Sequence, residues 1–328
     1  MMRLALITAL AALGLTVSAI ANDLETRVIA SDGWVAYRVP MVAGAGGPCC
    51  YAIRAGAATR ENCNLDERSL SFGSDRADPV AALDRTLAVY LRVERGRVER
   101  VLALSASCPV QTPSTVRWVD PVDPANSVAM LSSLLDRNAA GSTGNHGLVA
   151  LAYHHGDVAT RALASRAEPS HPREEREQAL FWLGQVRGVE GAEVVEHYAT
   201  TDADPELREH ATFALSQSRA PDAYAHILAI AQRDPAEHVR SEALFWLAQM
   251  NDTRARDDIV AALKSESSDD VREDAVFALS QLDGGEADDA LIAVLRGDYS
   301  RATKKQALFW LGQSGSPRAM AYIDEALK

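Results

Sequence analysis

The sequence predicts an array of helix pairs preceded by a small, disulfide-braced β-rich domain. A ten-residue motif, REQALFWLGQ at 176–185, recurs four more times at a fixed interval of 32 residues. Segments with β-strand patterns occupy Gly33 to Asp120, and helical periodicity begins at Ser127. All four cysteines lie in the first third of the chain. The two halves of the chain are therefore expected to fold in different ways.

The first 21 residues have the pattern of a secretory signal peptide. Arg3 gives a positive start, an apolar run covers Leu4 to Val17, and Ala19-Ile20-Ala21 is a small-x-small cleavage site. The apolar run is too short to span a bilayer, and an uncleaved N-terminal anchor is the alternative interpretation. We expect an exported protein, periplasmic or secreted, that begins near Asn22 and does not insert into a membrane after the signal is removed.

Negative charge is concentrated in the repeated part of the chain. The formal net charge is −12, and residues 171–328 carry 29 acidic residues against 17 basic ones. Nucleic acids and anionic membranes are bound through basic surfaces, so this distribution argues against both as partners. A cationic partner is one explanation of the acidic charge, and solubility alone is the other.

The four cysteines are Cys49, Cys50, Cys63 and Cys108. In an oxidising compartment, an even number of cysteines predicts disulfides. A ring that joins the adjacent Cys49 and Cys50 is strained, so each is expected to pair with one of the other two. A thiolate metal site is the alternative, but the spacing differs from the C-x2–4-C pattern of zinc sites. We therefore expect structural disulfides and no metal.

Residues 22–120 are expected to form the β-rich domain. Residues 121–145 are expected to hold a linker, marked by its Asp and Pro residues, and a first helix. The strand patterns lie in WVAYRV at 34–39, CYAIRA at 50–55, a hairpin over 86–107 with its tight turn at Gly96, and TVRWVD at 115–120.

Residues 146–328 are expected to contain a degenerate first unit and five repeats of 32 residues. In each repeat, a first helix carries the motif, a turn follows, and a second amphipathic helix completes the pair. Repeats of this length are typical of helix-pair arrays. Neither helix can bury its apolar stripe alone, so neighbouring repeats are expected to stack into a continuous core.

The motif resembles a known repeat family. LREHATFALSQ at 207–217 and VREDAVFALSQ at 271–281 are similar to the HEAT repeat, in the short form named after phycobilisome bilin lyases. The resemblance covers residues 146–328 and not the N-terminal part. It implies an α-α superhelix, a HEAT-like α-solenoid, whose usual activity is to hold other proteins. It does not imply bilin lyase activity, because the repeat is more widespread than that chemistry and no residue here marks a bilin site.

Helical geometry assigns roles to the motif positions. At 100° per residue, the motif Ala and Leu lie together on one face, which is the predicted core. The basic residue beside that face is expected to lay its stem over apolar surface and to pair with an acid of the adjacent repeat, which is a structural role. This basic ladder comprises Arg176, Arg208, Arg240, Arg272 and Lys304.

The motif Phe lies opposite the core, and a Gln follows it four residues later in every repeat. The resemblance places the motif helix on the concave side of the solenoid, so these residues are candidates for a stripe along an inner groove. Rings supply apolar contacts, amides can bracket the backbone of an extended peptide, and the surrounding acids favour a basic peptide. Alternatively, the Phe wedges between successive helices and the Gln bonds the carbonyls of the helix end. The candidate residues are Phe181, Phe213, Phe245, Phe277, Phe309, Gln185, Gln217, Gln249, Gln281 and Gln313.

A second period of 64 residues overlies the first. Trp182, Trp246 and Trp310 alternate with Ala214 and Ala278 at the position after the motif Phe. Packing of large against small side chains is one interpretation, and a stripe of Trp that stacks on a ligand is the other.

Catalytic motifs are absent from the sequence. It has no H-E-x-x-H, G-x-S-x-G, P-loop or dinucleotide fingerprint. We expect an exported scaffold or adaptor of the bacterial envelope that is not an enzyme, needs no cofactor, and binds a protein or extended peptide, with a basic one favoured. One alternative is an envelope enzyme with a site where the β domain meets the solenoid. The other is a purely structural envelope component.

Overall fold

A computed structural model describes residues 23–44, 46–54, 57–67, 72–73, 83–138, 142–283 and 285–326. The predicted signal peptide, Met1–Ala21, lies outside the described residues. Contacts divide the chain into two compact units, Met1–Arg187 and Gly188–Lys328. The domain limits expected near residues 120 and 146 stay a prediction. None of the described helices is long and apolar enough to cross a membrane.

The first unit contains a four-stranded sheet in the order β7-β6-β1-β9, in which β9 is parallel to β1 and the other pairs are antiparallel. Smaller sheets join β2 to β3 and β5, and β4 to β8. The strands are β1 (Gly33–Pro40), β2 (Cys49–Arg54), β3 (Ala57–Glu61), β4 (Cys63–Asn64), β5 (Phe72–Gly73), β6 (Thr86–Glu94), β7 (Arg97–Ser105), β8 (Val110–Gln111) and β9 (Val116–Trp118). The strand-rich region predicted from the sequence is confirmed, although β3, β4, β5 and β8 were not predicted.

The β6–β7 hairpin turns at the two residues Arg95 and Gly96, which have φ of 54° and 71°. Two successive positive φ values belong to the type I′ turn, whose twist matches that of the flanking strands. Gly96 adopts this conformation without the steric cost that a Cβ imposes. The hairpin predicted over 86–107 is therefore confirmed, with its turn at the predicted glycine.

Two disulfides lie in the apolar cluster on one side of the large sheet. They join Cys49 to Cys108 and Cys50 to Cys63. The prediction that each of the adjacent cysteines pairs with one of the distant ones is confirmed. The cluster around them comprises Trp34, Ala36, Leu65, Ala88, Tyr90, Leu102 and Leu104.

The helices that follow β9 in the first unit are α1 (Pro124–Asn138), α2 (Ser142–Tyr153), α3 (Asp157–Ser165) and α4 (Arg173–Val186), and the first two contact the large sheet. The helix α2 contacts β7, and Tyr37 on β1 shares a 2.7 Å hydrogen bond with the hydroxyl of Ser127 on α1. That hydroxyl also lies 2.9 Å from Nε2 of His154. Burial, with the nearby charge of Arg187, lowers the pKa of His154 to about 3, so its ring is neutral inside the unit.

The second unit consists of helices that alternate as the repeats predict. The elements are α5 (Gly188–Thr201), α6 (Pro205–Ser216), α7 (Ala223–Arg233), α8 (Glu237–Gln249), α9 (Ala255–Ser265), α10 (Asp269–Ser280), α11 (Gly285–Arg296), α12 (Arg301–Ser314) and α13 (Pro317–Ala326). The motif helices of this unit are α6, α8, α10 and α12, and each is followed by its second helix.

Local sequence explains where several of these helices begin. The carboxylate of Asp204 accepts a hydrogen bond from the N–H of Glu206 at the start of α6, and Pro205 occupies the first turn. The hydroxyls of Ser268 and Ser300 cap α10 and α12 in the same way. Gly315 ends α12 in a left-handed conformation, with φ of 58°.

The core of the repeats is made by the positions that helical geometry assigned to it. The motif Ala and Leu are buried in α4, which carries the first copy of the motif, and in the four motif helices of the second unit. They are Ala179, Ala211, Ala243, Ala275, Ala307, Leu183, Leu215, Leu247, Leu279 and Leu311. The methyl groups of the alanines leave room for neighbouring helices to approach closely, which is why this position stays small in every repeat.

Candidate protein-binding face

The aromatic side chains of the motif helices in the second unit form a continuous row. Phe213 contacts Trp246 of the next repeat, with ring centroids 4.9 Å apart, and Phe277 contacts Trp310 in the same way at 5.0 Å. Phe245 joins these two pairs, because its ring lies 5.0 Å from Trp246 and 5.9 Å from Phe277. The aromatic row comprises Phe213, Trp246, Phe245, Phe277, Trp310 and Phe309.

The aromatic row is neither core nor free surface. Its members are half-buried, except for Phe309 in the last repeat, which is 51 % exposed. Each ring contacts at least one neighbouring ring, and the indole nitrogens of Trp246 and Trp310 are buried. The contacts between rings of successive repeats fit the interpretation of the motif Phe as a wedge, and its role in binding stays a prediction. Of the three motif Trp, Trp246 and Trp310 belong to this row.

Phe181 belongs to the first unit. Its ring is 5.0 Å from that of Trp182, which in turn lies 6.1 Å from Tyr153 on α2. Phe181 is half-buried, as are most of its counterparts.

A pocket of about 450 Å³ lies along the row, at α6, α8 and α10. Two of its walls are the rings of Phe245 and Phe277, which are parallel to within 4°. The other lining residues come from positions three, four and seven before a motif Phe, because these positions lie on the same side of a helix as the Phe. They are Glu209, His238, Ser241, Glu242 and Asp274.

The pocket is acidic. Three carboxylates line it, one from each of three successive motif helices. Burial raises the pKa of Glu209, and the negative charge of Glu242 raises it further, while His238 opposes the shift. The Nε2 atom of His238 lies 3.7 Å from a carboxylate oxygen of Glu209 and 3.9 Å from one of Glu206. Arg and Lys are absent from the described lining residues.

The predicted Gln residues lie at the C-terminal ends of the motif helices and not in the lining described for this pocket. Gln217 and Gln281 are the C-cap residues of α6 and α10. The amide nitrogen of each lies 3.0 Å from the hydroxyl of the preceding Ser, which in turn donates to the carbonyl of the motif Phe. Gln249 and Gln313 are exposed, and Gln185 is half-buried. Their role in binding stays a prediction.

The basic ladder occupies another side of the same helices. Both carboxylate oxygens of Asp234 accept hydrogen bonds from Arg208, at 2.8 Å each. Glu266 accepts from Arg240 at 2.9 and 3.1 Å. In each case the acid lies in the loop that leads to the next repeat.

The remaining members of the ladder vary in their contacts. Arg176, in the first unit, is buried and donates to the carbonyl of Ala167 at 2.8 Å. Arg272 donates to the carbonyl of Glu266 and to the carboxylate of Asp269, both at 2.6 Å. Lys304 is half-buried in the last repeat.

The acids that pair with the basic ladder were not identified from the sequence, although their spacing in the repeats indicates them. Asp234 follows Arg208 by 26 residues, and Glu266 follows Arg240 by the same interval. The equivalent positions after Arg176 and Arg272 are Asp202 and Asp298. An acid at one fixed offset in successive repeats marks a packing position, as the motif Ala does.

The cysteines offer no thiolate to a metal. The Sγ atoms of Cys49, Cys63 and Cys108 lie within 4.8 Å of one another, but each belongs to a disulfide. A sulfur in a disulfide lacks the negative charge that a metal ligand needs.

The family model for HEAT repeats matches residues 160–244 and 225–298. This match confirms the HEAT-like repeats recognised in the sequence and, with the helix pairs above, their solenoid fold. The N-terminal region, with its strands and disulfides, is not matched by this model.

Solved structures that resemble part of this chain were also found. One is the complex of CpcE and CpcF of phycocyanin lyase from Nostoc sp. PCC7120, with 20 % identity and a TM-score of 0.36, covering 46 % of this chain and 97 % of that one. Another is human deoxyhypusine hydroxylase in complex with glycerol, with 16 % identity and a TM-score of 0.31, covering 58 % of this chain and 85 % of that one. No match was found among curated proteins. At these TM-scores neither likeness bears on the activity of this chain.

Proposed function

We propose that this chain is an exported scaffold or adaptor that binds a protein segment along the aromatic row. The observation that carries the proposal is the continuity of the row over four successive repeats. Aromatic side chains are enriched at binding interfaces, since they bring a large apolar area and lose few rotamers on binding. A row of them that runs from repeat to repeat suits an extended segment better than a compact ligand.

The charge beside the row supports a basic partner. The acidic pocket lies in the middle of the row, and the repeats as a whole are strongly negative. Complementary charge raises the rate of encounter and discourages acidic competitors. Nucleic acid is a poor candidate for the same reason, because its phosphates would be repelled.

Export is supported by two features of the N-terminal part. The first 21 residues have the signal-peptide pattern, and all four cysteines are paired in disulfides. Disulfides persist in the periplasm and outside the cell and are rare in the cytosol. We place the protein in the periplasm or outside the cell.

A scaffold is also preferred to an enzyme. Helix-pair arrays typically present an extended surface along which partners are held. The sequence contains no H-E-x-x-H, G-x-S-x-G, P-loop or dinucleotide fingerprint, and the candidate face is a row of apolar rings.

The test compares the mature protein with a row variant, Phe245→Ala plus Phe277→Ala. Partners are captured from envelope extract on the mature protein, purified, and titrated against both proteins. Removal of an aromatic ring from the centre of an interface weakens binding strongly. The two substitutions together are expected to lower the affinity about 100-fold or more. Circular dichroism checks that the row variant stays folded.

A matched control removes an exposed aromatic residue elsewhere. Trp118 on β9 is 39 % exposed and lies outside the row, so Trp118→Ala should leave the affinity within about twofold. Equal affinities of the row variant and the mature protein for every purified partner would overturn the proposal.

A further inference from the structure

The acidic pocket combines two aromatic rings with three carboxylates. Phe245 and Phe277 present parallel rings, with centroids 5.9 Å apart, and the carboxylates of Glu209, Glu242 and Asp274 surround them from three helices. A cation is attracted both to the face of an aromatic ring and to a carboxylate. The pocket of about 450 Å³ is also large enough for a long side chain.

The carboxylates of this pocket lack the basic partners that other acids of the repeats have. Asp234 and Glu266 are held by the basic ladder, whereas Glu242 and Asp274 form no ion pair with any residue that the structure describes. Among the described residues, His238 is the only basic group within 4 Å of the Glu209 carboxylate. The pocket therefore carries concentrated negative charge that an incoming cation would neutralise.

We propose that this pocket is an arginine site, in which the guanidinium of one arginine of the bound segment lies against Phe245 and Phe277 and donates to Glu209, Glu242 and Asp274. The proposal rests on the proposed function, because it assigns one side chain of the segment that the aromatic row binds. It adds one position at which the chain recognises the amino-acid sequence of that segment.

Arginine fits better than lysine for a geometric reason. The guanidinium is planar, so it can lie flat on a ring, and it has five N–H donors that point in several directions. Carboxylates that approach from three helices can therefore be bound at once. The ammonium of lysine has three donors and cannot stack.

The probe is a fluorescent nine-residue peptide of Gly, Ser and Ala with one central arginine. Two comparison peptides carry lysine or citrulline in place of the arginine. Citrulline has the shape of arginine without the charge. Binding to the mature protein is followed by fluorescence anisotropy up to about 1 mM protein, a range that covers weak affinities. We expect the arginine peptide to bind about tenfold or more tightly than the citrulline peptide, with the lysine peptide in between.

The pocket variant is Glu242→Gln plus Asp274→Asn, which keeps the shape and removes two charges. The control variant, Glu190→Gln plus Glu193→Gln, removes two charges from exposed positions on α5. The pocket variant should lose about tenfold in affinity for the arginine peptide, and the control less than about twofold. The pocket variant should also bind the arginine and citrulline peptides equally.

Three results would overturn the arginine site. They are no binding of any peptide, binding of citrulline as tight as that of arginine, and equal losses in the pocket and control variants. The last result would mean that general acidity attracts the peptide. Failure of the proposed function would give a different result. A captured partner would then bind the row variant with the same affinity as the mature protein.

Discussion

Two faces of the same motif helices differ in how their polar groups are satisfied. On the basic ladder, Arg208 and Asp234 are almost fully buried and share two hydrogen bonds of 2.8 Å. On the aromatic row, rings contact rings, and the acids of the pocket face no basic ladder residue. Both faces recur every 32 residues, so repetition alone does not separate packing from binding. The two faces differ in whether their charged groups have basic or acidic partners within the chain, and this difference separates packing from binding.

The largest effect is expected on the ladder. Asp234→Ala leaves the guanidinium of Arg208 buried without its carboxylate, which should lower the free energy of unfolding by about 3 kcal/mol. Urea denaturation measures the change. Asp257→Ala, which removes an exposed partner of Arg256, is the control and should alter stability little. Equal losses in the two variants would show that burial of the ladder pair has no special role.

The next effect depends on pH. Burial tends to raise the pKa of Glu266, but hydrogen bonds from Arg240 and from the N–H groups of Ser268 and Ser267 outweigh it and lower the pKa to about 2. A lowered pKa means that the ionised form stabilises the fold above pH 4.5, and that this contribution disappears as the pH falls towards 2.

Glu266→Gln should therefore cost about 2 kcal/mol at neutral pH and progressively less in acid. The free energy of unfolding of both proteins is measured at pH 7 and at several acidic values. A cost that stays constant with pH would contradict this account of the ladder.

A smaller effect is expected on the row. Phe245→Ala should lower the free energy of unfolding by about 1–2 kcal/mol, because the ring is half-buried and loses only part of a core contact. Leu247→Ala in the same helix removes a fully buried side chain and should cost about 3 kcal/mol. If the two substitutions destabilise equally, the row is core and its candidacy as a binding face weakens.

The smallest effect has the opposite sign. Burial, together with the charge of Glu242, raises the pKa of Glu209, so its ionised form is less favourable in the folded chain than in the unfolded one. Glu209→Gln should then stabilise the fold by a few tenths of a kcal/mol at neutral pH, since the site is partly exposed. The gain should vanish in acid, where Glu209 is protonated. Thermal denaturation at pH 7 and in acid checks both, and a loss at neutral pH would contradict the prediction.

Much of the fold could be predicted because its signals are local or periodic. The 32-residue interval identified the helix pairs, and the turn residues at Arg95-Gly96 marked the hairpin. The disulfide pairing could be predicted in part from the sequence, because adjacent cysteines do not readily pair with each other. The choice between Cys63 and Cys108 required the fold, since it depends on how β4 and β8 approach one another.

The site could be predicted only in outline. The motif Phe and the acids around it were visible as one side of a helix, but the pocket needs three helices side by side, which no single motif contains. The role of the Trp was ambiguous, because Trp246 contacts Phe213 from the previous repeat and Phe245 from its own. The short strands β3, β4, β5 and β8 depend on pairing with distant segments and have weak local patterns.

The central claim is that partners meet the chain at the aromatic row. The most direct test places a photo-crosslinking phenylalanine analogue at Phe245 or Phe309, and for comparison at the exposed positions Ala261 or Lys264 on α9, and irradiates the protein in envelope extract. We expect one partner to be crosslinked from both row positions, through a segment that contains arginine, and little product from α9. Crosslinks that arise mainly from α9, or from neither row position, would contradict it.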